Sequence, residues 1–330
     1  MARRFSPSLH HLLARIRIAS VVCCLSVAGC SPQASPALRM GTSLWPGFEP
    51  FYVARERNFW REDQIKLLEY TSTSELTRAF RNGTIDAGLL TLDEALLLVE
   101  DRQDIKILLV TDLSHGADVI VAKPGFHSMK ELRGHRIGAE TTGVGTYLLF
   151  RALELAGLRP VDVEIVTLEF SEEQAALDRG LVDAVVTYEP VRTKLKSAGA
   201  RQIFDSTRIP GEIVDVLLVR TSYLMASPDN ARLLVEAYYR AQRYAREDSA
   251  GFVRIAAAHE NVTSQEFRQS MTLLHVPDAQ EGRAMLAGTP APLEKQAKVL
   301  ADVMIQGKLL LRPVDVASMF AYPLWQREVP

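Results

Sequence analysis

Short apolar runs alternate along this chain with longer stretches whose apolar residues recur at helical spacing. The runs predict strands at 38–44, 64–70, 86–90, 105–111, 117–122, 135–139, 162–168, 183–187, 201–204 and 213–219. Helices fit between most of them, at 74–82, 145–156, 171–180 and 189–198 among others. Such alternation specifies an α/β fold with mostly parallel sheets. The last hundred residues change character. NARLLVEAYYRAQRYARE, FVRIAAAHE, SQEFRQSMTLL and PLEKQAKVLADVMIQGK read as successive amphipathic helices.

The pattern also repeats. RNGTIDAGLLTLDE (81–94) resembles DRGLVDAVVTYEP (178–190), and several landmarks keep one spacing of 97 residues. They are Gly41 with Gly138, Ser74-Glu75 with Ser171-Glu172, Gly83 with Gly180, and Asp86-Ala87 with Asp183-Ala184. The same strand–helix–strand–helix–strand plan is therefore expected twice, from about 41 to 94 and from about 138 to 190. Two similar α/β lobes make a cleft, and ligands of open α/β sheets sit beyond the carboxyl ends of the strands.

The loops after those strands hold the candidate binding residues. Trp45 follows the first strand at a Pro46-Gly47 turn, where it is either a cap on its own lobe or an aromatic platform for a ligand. The matching loop of the second lobe is Glu140-Thr141-Thr142-Gly143-Val144-Gly145-Thr146, ahead of an apolar helix. Its exposed N–H groups suit an anion, although an ordinary N-cap by Thr142 or Thr146 explains it too. Ser74 is a candidate N-cap that could also donate to a ligand, and Thr91 ends the strand DAGLL. Tyr188 and Glu189 end the strand DAVVT; Glu189 is a ligand contact or a partner of the following helix dipole. Asp215 is a charge inside the apolar strand GEIVDVLLV, so it is paired structurally or aimed at the cleft.

The N-terminus changes the picture of where this happens. Arg3, Arg4, Arg15 and Arg17 precede an apolar run from Ile18 to Gly29, the layout of a secretory signal. The run is short for a membrane span. Val27-Ala28-Gly29-Cys30 resembles the lipobox of bacterial lipoproteins, which implies cleavage before Cys30 and its lipidation, with 31–37 as a Ser/Pro-rich tether. The three cysteines are Cys23, Cys24 and Cys30, so the rest of the chain can form no internal disulfide. Losing four arginines and no acid moves the formal charge from −2 to about −6, which argues against nucleic acid as a partner. His115, His127 and His135 form no metal-ligand spacing; only His115, in SHGAD, lies near a lobe crossing. There is no G-x-S-x-G elbow and no Ser/His/Asp set, and no metal or cofactor is expected.

Four blocks carry a family likeness: WPGFEPFYVARERNFW, RAFRNGTIDAGLLTLDEALLL, LRGHRIGAETTGVGTYLL and LDRGLVDAVVTYEP. They resemble the periplasmic solute-binding proteins of the nitrate/sulfonate/taurine and thiamine-pyrimidine group, called SsuA/THI5-like or NMT1-like. The resemblance implies a two-lobe periplasmic binding protein type II fold with a ligand cleft between lobes. It implies a discontinuous lobe one of 38–120 plus 217–330, a lobe two of 121–216, and a final segment acting as a clasp. It places Trp45, Thr141, Thr142, Gly143, Tyr188 and Glu189 in the cleft. It also implies a periplasmic, membrane-anchored monomer that captures a sulfonate-, nitrate- or aminopyrimidine-like solute for an ABC importer permease. A ligand-sensing lipoprotein signalling to a membrane receptor is the alternative. An enzyme of this fold is disfavoured, because the pyrimidine-synthase branch carries a cysteine-rich metal motif that this chain lacks.

Overall fold

A computed structural model describes residues 36–140 and 143–320. The expected signal peptide (1–29) and the stretch from Cys30 through 35 lie outside the described residues, as do Thr141, Thr142 and 321–330. Two sheets organise the fold. The first has the order β11-β4-β10-β3-β1-β2, from β1 (Leu38–Ser43), β2 (Ile65–Tyr70), β3 (Ala87–Thr91), β4 (Ile105–Ser114), β10 (Val214–Arg220) and the short β11 (Leu274–His275). The second has the order β7-β6-β8-β5-β9, from β5 (Val119–Ala122), β6 (Arg136–Ala139), β7 (Glu164–Thr167), β8 (Ala184–Thr187) and β9 (Arg201–Asp205). All ten expected strands are present, and β11 is the one short pairing that the apolar pattern did not show.

The duplication is structural. β1 runs parallel between β2 and β3, and β6 runs parallel between β7 and β8. Met40 pairs with Ala87 and Gly41 with Gly88; 97 residues on, Ile137 pairs with Ala184 and Gly138 with Val185. Each sheet then receives one antiparallel strand: β10 beside β3, and β5 beside β8.

The landmarks recur because the same contacts need them. The Arg39 amide and guanidinium donate to Asp86, and the guanidinium also reaches the Gly83 carbonyl at 3.0 Å. The Arg136 amide donates to Asp183 and its guanidinium to the Gly180 carbonyl at 2.9 Å, while Lys123 supplies the cation on the Asp183 carboxylate at 3.0 Å. Gly83 (φ +71°) and Gly180 (φ +74°) are left-handed residues just past their helices, where a side chain would be strained. Gly41 and Gly138 let a strand approach a leucine or isoleucine: an added Cβ would lie 2.5 Å from Ile85 Cδ1 and 2.4 Å from Leu168 Cδ1.

The chain changes sheet across 115–118 and 206–213. The boundaries expected at 120/121 and 216/217 therefore fall inside β5 and β10; both strands are continuous apolar runs, and periodicity alone does not say which sheet a strand joins. Ser114 and Ser206 tie the two crossings together. Their hydroxyls lie 2.8 Å apart, and Ser206 Oγ also accepts the Gly116 amide at 2.6 Å.

Helices cover the faces: α1 (Glu49–Glu56), α2 (Thr73–Arg81), α3 (Leu92–Glu100), α4 (Val144–Leu155), α5 (Glu173–Asp178), α6 (Val191–Ser197) and six more from α7 (Thr221–Ala226) to α12 (Pro292–Gln306). α8 (Pro228–Glu247) starts with proline in its first turn and buries Ala231, Leu234, Val235, Tyr238 and Tyr239 at helical spacing. Tyr238 donates to the Thr111 carbonyl at 2.9 Å, fixing this helix to β4. Packing of α3, α4 and α12 makes one core that spans residues of both sheets. Among the described residues no helix is long and apolar enough to cross a membrane.

Asp86→Ala and Asp183→Ala should each lower stability by about 1–3 kcal/mol, because the first strips the Arg39 guanidinium and amide of their acceptor and the second strips the Lys123 ammonium and the Arg136 amide of theirs. Urea unfolding midpoints would check this, and similar losses are expected at the two equivalent sites.

Candidate functional site

A cavity sits where the two sheets meet. The loop after β1 contributes Ser43, Leu44, Trp45 and Phe48. β3 and the first turns of α3 contribute Leu89, Leu90, Thr91 and Glu94, and the start of α2 contributes Thr73. β10 contributes Asp215. From the other sheet come Asp118 at the crossing, Val144 at the start of α4, and Tyr188 after β8. The enclosed space is small, with about 20 Å³ open to the centre of a water molecule.

Rings close it from both sides. Trp45 meets Tyr188 edge to face, with centroids 5.8 Å apart. Tyr188 in turn stacks flat on Phe170 at 4.0 Å. Trp45 is held by its indole N–H, which donates to the Asp112 carboxylate at 3.2 and 3.3 Å. It thus lines the cavity and caps its own lobe at once. Gly47 makes room for this contact: a Cβ there would lie 1.9 Å from Asp112 Oδ2.

The chemistry of the walls is acidic. Glu94, Asp118 and Asp215 line the cavity, and Asp93 and Asp112 are buried beside them. No Lys, Arg or His lines it. Burial pushes Asp118 up to about 7, and the charges of Asp112 and Glu94 add to this against a hydrogen bond from Ser114. Burial and the Glu94 charge likewise raise Asp93 to about 7. Asp215 pairs in register with Thr91 on one side and Asp112 on the other. Burial and the charges of Asp112 and Asp118 push Asp215 far up, while burial raises Asp112 only to about 6. The two carboxyls interact directly, so their titrations are linked and belong to the pair.

Glu94 accounts for the loop that looked ready for an anion. Its Oε2 accepts the Thr91 amide at 3.0 Å. Its Oε1 lies where a side chain on Gly143 (φ +89°) would be, 2.2 Å from an ideal Cβ. Burial raises Glu94, opposed by the amides of Thr91 and Val144 and by the hydroxyls of Thr73 and Thr91. A carboxylate of the first half thus faces the N-terminus of α4 in the second half.

Other candidates land as follows. Trp45, Thr91, Tyr188 and Asp215 line the cavity together. Gly143 lies against Glu94, next to the lining residue Val144. Ser74 is not the N-cap of α2; that is Ser72, whose Oγ accepts the Glu75 amide at 3.2 Å, because the helix begins one residue earlier than expected. The Ser74 hydroxyl donates across the sheets to Glu140 at 3.3 Å. Glu189 is buried away from the cavity walls, paired with Arg192 at 2.7 Å and the Thr193 hydroxyl at 3.0 Å. His115 is exposed; the residue of its SHGAD segment that reaches the cavity is Asp118. Sequence reasoning missed Glu94, Asp112 and Asp118. For Asp112 and Asp118 the available signal was the one that flagged Asp215, a charge beside an apolar run. Among the described residues no three His, Cys, Asp or Glu are placed to hold a metal ion.

The NMT1-like family model matches residues 31–259. The chain belongs to the NMT1-like family. It is 23% identical over 201 residues to the taurine-binding periplasmic protein of Escherichia coli (strain K12), across 59% of this chain and 62% of that one. The match therefore spans under two thirds of that relative's length. The alkanesulfonate-binding protein SsuA from Xanthomonas axonopodis pv. citri, bound to MOPS, has the same fold, with a TM-score of 0.72, 20% identity, and coverage of 86% of this chain and 98% of that one. The desulfurization enzyme DSZB shares it at a TM-score of 0.62, 20% identity, and 88% and 98% coverage. The NMT1-like chain thus has the periplasmic binding protein fold, and binding proteins and an enzyme are both built on it.

The raised carboxylates set a pH dependence. A carboxyl whose folded pKa exceeds its unfolded value binds more protons when folded, so stability is lost as pH rises between the two values. With Asp118 and Asp93 near 7 and Glu140 near 8, the melting temperature should fall from pH 5 to pH 8. Asp118→Asn should flatten part of that fall in a melting series.

Proposed function

We propose that this NMT1-like protein is an extracytoplasmic solute-binding protein that captures a small organic molecule between its two sheets for an ABC-type importer. The supporting observation is the cavity itself, walled by residues of both sheets and closed by Trp45 from one and Tyr188 from the other. A space this small admits an organic solute only when the lobes part. The tied crossings at 115–118 and 206–213 are where such a hinge turns. In this reading each sheet with its helices is one lobe, and Ser72 to Glu169 at 2.9 Å and Ser74 to Glu140 are latches of the closed form. The lipobox-like VAGC supports anchoring through Cys30, with the protein facing the periplasm and handing its ligand to a permease as a monomer. One relative is named for binding taurine and one structural neighbour for binding alkanesulfonates, which supports a small organic solute. Sulfonate-, nitrate- and aminopyrimidine-like solutes are the classes to test.

Thermal melting against that panel is the test. A ligand at 100 times its dissociation constant stabilises the native state by about 2.7 kcal/mol, a shift of a few degrees for a chain of this size. Trp45→Ala and Tyr188→Ala should each weaken the responding ligand by about tenfold or more, equivalent to about 1.4 kcal/mol. Unchanged affinity in both variants would place binding elsewhere.

A further inference from the structure

We infer that the ligand of this cavity carries a positively charged nitrogen, an ammonium or amidinium group on a small apolar or aromatic body, held by Glu94, Asp118 and Asp215. This rests on the solute-binding reading above and narrows its ligand class. Three observations carry it. First, all three side chains line the cavity and are buried, and Glu94 Oε1, Asp118 Oδ2 and Asp215 Oδ2 each lack a hydrogen-bond partner. Buried acceptors are normally satisfied, so three open oxygens around one space point to a donor that arrives from outside. The Val144 amide favours the ionised form of Glu94 without meeting hydrogen-bond geometry at Oε1.

Second, the walls hold nothing to neutralise a sulfonate, nitrate or carboxylate. No cationic side chain lines the space. The described part of the loop that sequence reasoning offered to an anion, Gly143 and Val144, is faced by the carboxylate of Glu94. An anionic ligand would enter beside three acids and desolvate them further, which is strongly unfavourable. A cation reverses the balance, and charge-assisted N–H···O bonds are the strong kind.

Third, rings and apolar groups make up much of the remaining wall, Trp45, Phe48 and Tyr188 with Leu89 and Leu90, beside the hydroxyls of Ser43, Thr73 and Thr91. Aromatic faces attract a desolvated cation. The aromatic and aliphatic walls suit the apolar body of an organic cation.

The experiment uses matched probes on the purified protein at pH 7.5. Benzylammonium and benzamidinium are compared with benzenesulfonate, and taurine with ethanesulfonate, by calorimetric titration. The expected result is binding of the aromatic cations, at least tenfold tighter than benzenesulfonate, and of taurine more tightly than ethanesulfonate. Asp118→Asn and Asp215→Asn are near-isosteric, and they relieve like-charge crowding, so both should melt no lower than the parent at this pH. Each should weaken the cations about tenfold and leave the sulfonates unchanged or tighter. Binding of sulfonates without cations overturns this inference while leaving the solute-binding reading standing. Failure of every cation overturns it as well, as does cation affinity unchanged in both variants. Whether the solute-binding reading survives is decided separately by the wider melting panel.

Discussion

The burial of carboxylates at the seam between two sheets is the constraint around which the rest is arranged. Glu94, Asp112, Asp118 and Asp215 are taken out of water with no cation lining the cavity among them. Left fully ionised, such a group would repel itself in a medium that screens poorly. The fold meets this locally. Asp112 accepts the Trp45 indole N–H and interacts with the Asp215 carboxyl, Asp118 is hydrogen-bonded by Ser114, and Glu94 sits against the N-terminus of α4. Each device uses a residue that also builds the junction. Ser114 ties the crossings, Trp45 closes the cavity, and α4 packs the shared core. The buried charges, the crossings and the cavity wall are thus parts of one assembly.

The duplication explains why the seam exists. Each half supplies three parallel strands in the same order and receives one antiparallel strand. The Arg39–Asp86 and Arg136–Asp183 contacts hold the same turn in both halves. Ser72 meets Glu169, and these residues are themselves 97 apart, so equivalent ends of the two halves face each other. The loops that follow β1, β3 and β8 converge on that line, which is why Trp45, Thr91 and Tyr188 come together. The halves differ at the cavity wall. Thr91 in the first corresponds to Tyr188 in the second, one a small hydroxyl and the other a stacked ring.

Much of this was legible from residues. Strand positions followed from apolar runs too short for an ordinary helix and bounded by turn residues. The repeat was visible because glycines and aspartates at turns answer to backbone geometry, which tolerates little substitution. The site was legible in part. Trp45, Tyr188 and Asp215 stood out as large or charged groups at strand ends or in apolar runs. Glu94 did not, since a glutamate three residues after Thr91 reads as an ordinary capping box, which it also is. Asp118 was passed over for the histidine beside it. Glu189 was overweighted, because its partner Arg192 lies one helical turn on and only the folded backbone shows that the two meet. Sequence gives residue types; which of several acids shares a cavity is a matter of three-dimensional convergence.

The central claim is that these acids share protons when the cavity holds no charge and ionise when a cation enters. Proton-linked calorimetry tests it most directly. Benzamidinium, which stays fully charged at neutral pH, is titrated at pH 7 in buffers of different ionisation enthalpy. A bound cation favours the ionised carboxylates and lowers their pKa values, so the account predicts net release of protons on binding. Proton uptake, or binding with no proton exchange, would contradict it.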